Sequence, residues 1–223
     1  MTASPTRALT ALAALAALAA GCGSSSTTPA SQPAPKVSAT ELAQDEVTKM
    51  VLGTGDLPGY SLNSTGGEKL QDQLPPKRTP GYAAMVRTVK SNWLASEHSV
   101  VVSQDGRVLL FSDANLFRSE SAMREVWKLE RKPIPGIHTK DYRPSPGAPA
   151  GSRLVWTDDG KKAGFELTWP QGQVIGLTLI FGHPGEKFTP LNIRRISSFL
   201  SAAAKAQARL IANAEAAGLG SAA

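Results

Sequence analysis

The stretch "FELTWPQGQVIGLTLIFG", residues 165–182, holds two β-rich runs separated by the turn residues Pro170-Gln171-Gly172. Strand alternation puts Phe165, Leu167 and Trp169 on one face of the first run, and Ile175, Leu177, Leu179 and Phe181 on one face of the second. Just upstream, "SRLVWTDDGKKAG" (residues 152–164) adds a third strand before a turn at Asp158-Asp159-Gly160, so neighbours in sequence are expected to pair antiparallel. The apolar faces need a cover. A long C-terminal helix is expected to supply it, with Thr189 as cap, Pro190 opening, a stripe of Ile193, Ile196, Phe199, Leu200, Ala203 and Leu210, and Gly218 closing.

The same grammar appears earlier in the chain. "HSVVVSQDGRVLLFSD" (98–113) reads as two strands about the two-residue hairpin signal Asp105-Gly106, and "SESAMREVWKLERKP" (119–133) as a helix burying Ala122, Met123, Val126 and Leu129. Two further helices are expected. One covers "SATELAQDEVTKMVL" (38–52), with Leu42, Val47, Val51 and Leu52 on its core side. The other follows the start signal Thr79-Pro80, with Tyr82, Met85, Val86, Val89 and Trp93 on one face. "DLPGY" (56–60) is turn chemistry, the polar run 63–80 is a loop, and Pro133 to Gly151, rich in proline and glycine, is a long irregular loop of the kind that is functional or mobile. The expected class is α+β: two layers, an antiparallel sheet of about five strands with amphipathic helices packed on one face, and the two hairpin–helix units as a candidate internal repeat.

The only cysteine, Cys22, follows an uncharged run from Ala8 to Ala20 and the small residues Ala19, Ala20 and Gly21. That run is shorter than the roughly 20 residues a spanning helix needs, and with Arg7 before it reads as a secretory signal peptide. The small residues before Cys22 resemble the lipobox of bacterial lipoproteins, which implies that its thiol is acylated and that cleavage leaves it as residue one. The alternative is a plain signal peptide cut after Ala20, which would leave a lone thiol liable to oxidation outside the cell. Residues 1–21 are then signal peptide and 22–36 a lipidated N-terminus with a Ser/Thr/Pro tether reaching on the order of 20 Å. Residues 37–218 are a single globular domain and 219–223 a tail. The expected location is the outer face of the cell membrane, held by the N-terminal lipid.

The chain carries 24 Lys and Arg against 18 Asp and Glu, a formal charge of +6, but its cations are scattered and lie in no aromatic-interleaved run. Nucleic acid is therefore not an expected partner. G-x-S-x-G, S-x-x-K, H-E-x-x-H and a phosphate loop are all missing, and no cofactor or metal is expected. His98, His138 and His183 lie at dissimilar places; Asp158 and Asp159 read as turn residues. A dyad of Glu68, Asp141 or Glu166 with a distant histidine would have to be assembled by the fold. Trp93, Trp127, Tyr142 and Trp156 are the candidate ligand-binding residues, with core packing the competing explanation for the tryptophans.

The Ala-rich leader with Cys22, the Ser/Thr/Pro tether, "DLPGY", the hairpin closing on "LLFSDA" before a helix, and the late "GQVIGLTLIFG" strand make the chain resemble uncharacterised actinobacterial exported lipoproteins. Part of that group is similar to the extracytoplasmic sensor domains of actinobacterial serine/threonine kinases, whose paired cysteines this chain lacks. The resemblance implies a sheet-lined, ligand-binding cleft. The reading is a non-catalytic ligand-binding or sensor-type module for an envelope lipid, glycan or peptide. The alternative is a structural or interaction lipoprotein docking another envelope protein, and the third reading is an envelope hydrolase.

Overall fold

Two hairpins build the middle of the sheet. In the first, β2 (Trp93–Ser103) and β3 (Leu109–Phe117) are joined by a loop whose closing pair is Ser103 and Val108: Ser103 N–H donates to the Val108 carbonyl and Val108 N–H to Ser103 Oγ, each at 3.0 Å. Asp105 Oδ1 accepts from Ser103 Oγ (2.6 Å) and Arg107 N–H (3.1 Å), while Gly106 takes the left-handed position at φ 70°. The loop is thus four residues long rather than the two expected, because the Ser103 side chain and Asp105 together do the work of a tighter turn. The second hairpin is β6 (Ala163–Gln171) and β7 (Val174–Gly182).

The computed structural model describes residues 39–67, 81–130 and 136–218. Cys22, the tether, Glu68, Thr79-Pro80, Pro133 and the tail lie outside the described residues, and everything described falls within the compact unit Val37–Ala223. Its sheet is seven-stranded with β3 paired to β7 at the centre, in the order β1-β2-β3-β7-β6-β5-β4, antiparallel throughout. β5 is Arg153–Asp158. The two additional strands are edges that carry little apolar pattern: β1 (Tyr60–Gly67), within the stretch expected as turn and polar loop, and β4 (His138–Tyr142), within the expected long loop. Backbone hydrogen bonds define an edge strand whatever its side chains, so seven strands replace the expected five.

Helices cover both faces, which corrects the expected two-layer arrangement. Successive residues of a strand point to opposite sides. Leu116 and Val174 belong to one apolar cluster, with Val47, Leu200 and Ile211, whereas their neighbours Phe117 and Ile175 belong to a second, with Val89, Met123 and Val126. The first face is closed by α1 (Ala39–Thr48) and α4 (Pro190–Ala216); the second carries α2 (Tyr82–Asn92) and α3 (Glu120–Glu130). The candidate repeat therefore ends at its helices, since α3 and α4 leave their hairpins toward opposite sides.

On α4, capped by Thr189 accepting from Asn192 N–H at 3.2 Å, the buried line runs through small residues: Ser197, Ser201, Ala203, Ala204 and Ala214, with Leu200, Gln207 and Ile211. Ile193, Ile196, Phe199 and Leu210, expected in the stripe, pack at its margins. On α1, Ala43 and Val47 are buried while Leu42 is 44% exposed, against expectation. Helix α2 ends at Asn92, so Trp93 begins a strand instead of closing a helical face.

Candidate ligand-binding cleft

The register of the central strands decides what the second face presents. Trp169 stands opposite Gly176, so the Phe165, Leu167 and Trp169 stripe of β6 shares its face with Val174, Gly176 and Thr178, beneath α4. The apolar stripe of β7, Ile175, Leu177, Leu179 and Phe181, points the other way. One terminal helix was expected to cover both stripes; it covers the first, and α2 and α3 reach only the Ile175 end of the second. Beyond them lies a cleft of about 640 Å³ with the sheet as its floor.

That floor can be read in rows across the strands. In one row stand Phe111, Leu179, Glu166, Val155 and Asp141; the next toward the helices holds Asp113, Leu177, Thr168 and Arg153; the next holds Asn115 and Ile175. Val89, Val126, Trp127 and Leu129 of α2 and α3 form the wall, with Trp93 at its foot. At the open end Phe111 and Phe181 meet edge to face, ring centroids 5.0 Å apart, and Phe181 remains 52% exposed.

Polar groups fix parts of this surface. Trp93 Nε1 donates to Asn115 Oδ1 at 3.3 Å, and Asn115 Nδ2 donates to Asp113 Oδ1 at 2.7 Å, so the indole is oriented by the strand floor. Arg153 Nε donates to Asp141 Oδ1 at 2.8 Å across β4 and β5. Glu166 lies between Leu179 and Val155; burial pushes its carboxyl above the usual range, and the Arg153 charge only partly opposes this.

The four aromatic candidates divide between the two faces. Trp93 and Trp127 line the cleft, half-buried. Trp156 and Tyr142 belong to the opposite face: Trp156 is 8% exposed and packs on Phe165 (4.9 Å) and Phe188 (4.7 Å), and Tyr142 lies 5.5 Å from Phe165. Both are core residues, because even-numbered positions of β4 and β5 point toward α4. The cleft brings Asp141 and Glu166 together, but no described histidine lines it, and Asp158 and Asp159 cap turns by accepting backbone N–H groups at 2.7–2.8 Å. Among the described residues no group of three His, Cys, Asp or Glu is placed to hold a metal, and no helix is long and apolar enough to cross a membrane.

Sequence reasoning missed Leu177 and Arg153 as cleft residues. A signal was present in "FELTW": an acid and a threonine alternating with large apolar residues in a strand flanked on both sides must face either a partner or water.

Fold and cleft together define an α+β domain with a seven-stranded antiparallel sheet, one face closed by helices and the other holding a partly walled cleft. No protein-family model matches the chain, and no curated protein matches it. Among solved structures, the extracellular domain of PknH from Mycobacterium tuberculosis is similar over 78% of this chain and 96% of that domain, at 9% identity and a TM-score of 0.46. At that level of likeness, the functional reading has to come from the cleft's own residues.

Proposed function

We propose that the protein is a membrane-anchored, extracytoplasmic lipoprotein whose cleft receives a small envelope ligand without chemical turnover. The observation that carries this reading is the β7 stripe of Leu177, Leu179 and Phe181, apolar and half-covered among the described residues, in a sheet whose other face packs against α1 and α4. A folded chain gains by burying such a stripe against its own helices; leaving it beside Glu166, Arg153 and Trp93 reserves it for something else. A volume near 640 Å³ lies within the range of small-molecule sites. Attachment to the outer membrane face rests on Cys22 and the leader before it.

The test is native mass spectrometry of Val37–Ala223 purified after export in its own host. An added mass that denaturation removes supports a carrier or sensor. A clean apo mass, with another envelope protein crosslinked through the open end of the sheet, overturns it in favour of docking. The exposure of Leu109 (46%) and Phe181 (52%) is the observation that favours this second reading.

A further inference from the structure

The cleft is acidic in a basic protein. Its lining includes the carboxylates Asp113, Asp141, Asp159 and Glu166 against the cations Arg153 and Lys162, while the whole chain carries +6. Most of these charges are already engaged within the fold. Asp113 accepts from Asn115 Nδ2, Asp159 from the Lys161 and Lys162 backbone N–H groups, and Asp141 from Arg153. Glu166 differs: it stands in mid-floor with Leu179 and Val155 on either side, and no described residue donates a hydrogen bond to its carboxylate. Arg153 acts on it only at longer range, its Nε being turned to Asp141.

A carboxylate taken from water into apolar surroundings without a donor is costly, and a cation brought against it recovers that cost. Next to it run Leu177, Leu179 and Phe181, a track for an apolar chain, leading to the Trp93 and Trp127 indoles, whose faces also suit cationic groups. We propose that the cleft binds a cationic amphiphile, a molecule with one ammonium group set against Glu166 and an apolar body lying along the β7 stripe. An anionic amphiphile would meet the surplus of carboxylates, and a neutral one would leave Glu166 half-buried with no hydrogen-bond donor among the described residues. This assignment rests on the binding-module reading and specifies its ligand class.

The experiment is calorimetric titration of Val37–Ala223 with octylammonium, octanoate and octanol, each below its aggregation threshold, on the wild type and on Glu166→Gln. The expected result is that the ammonium compound binds about tenfold tighter than either chain-matched competitor, and that Glu166→Gln removes this advantage while octanol binding is unchanged. Binding of the ammonium should also strengthen as pH rises and Glu166 ionises. Equal binding of the three, or tightest binding of octanoate, overturns the ligand class and leaves the cleft as a binding site. No binding of any of them also overturns it; only if the exported protein carries no adduct either does the binding-module reading fall too.

Discussion

The indole of Trp169 lies directly on Gly176 of the paired strand: a Cβ on Gly176 would fall 2.4 Å from its Cζ2 atom. The fully buried ring fills the space that a side chain on β7 would otherwise take beneath α4. That explains why β7 carries its bulk on the cleft side. Gly176→Ala should destabilise the fold by about 1–3 kcal/mol through overpacking. Urea unfolding measures this, and an unchanged midpoint would show that the contact can relax.

Two serines on the sheet hold the chain where it leaves α1. Ser112 Oγ accepts from Leu52 N–H at 3.1 Å, and Ser99 Oγ–H donates to the Leu52 carbonyl at 2.6 Å, all of them buried. Replacing either serine by alanine strands one polar backbone group, so each variant should lose about 1–3 kcal/mol. Chemical denaturation of Ser99→Ala and Ser112→Ala decides; losses near zero would mean that water enters beside Leu52.

Stability should fall as Glu166 ionises. Its folded carboxyl titrates above the unfolded value, so its contribution is fully present below the unfolded value, near 4, and is lost as pH rises through the folded value. Glu166→Gln removes this loss. Thermal melts should show the variant more stable than the wild type near neutrality and equal to it in acid. A difference that grew toward acid would reverse the sign.

Cys22→Ser should move the protein from the membrane fraction to the soluble exported fraction with its fold unchanged. Fractionation of the expressing host reads this out directly. Retention of the serine variant in the membrane would place the attachment elsewhere in the chain.

The local features of the fold were legible because they are settled by a few neighbouring residues. Thr189-Pro190 marks the start of α4 by cap chemistry and fixed φ, and Asp105-Gly106 marks a hairpin, although the Ser103 side chain lengthened its loop. β1 and β4 were not legible, since "NSTGG" and "HTKDY" are mostly exposed edge sequences and pair through backbone groups common to all residues. Among the candidate ligand residues, Trp93 and Trp127 reach the cleft and Trp156 and Tyr142 the core. Strand pairing separates Trp93 from Trp156 and Tyr142, because an aromatic in alternating sequence suits either face, and Trp127 is placed by the packing of α3.

The sequence by itself determined the α+β class, the antiparallel hairpins, the start of α4 and the apolar stripes of β6 and β7, all consequences of short-range sterics and periodicity. Which stripe each helix would cover belonged to the tertiary structure. Trp169 opposite Gly176 puts the large residues of β6 and β7 on opposite faces, and β3 joining β7 brings Phe111 and Asp113 alongside Leu179 and Leu177. Those pairings join residues more than sixty positions apart in the case of β3 and β7, and no local pattern encodes them. The cleft, with Glu166 on its floor, exists because one face of the sheet was closed and the other was left partly open.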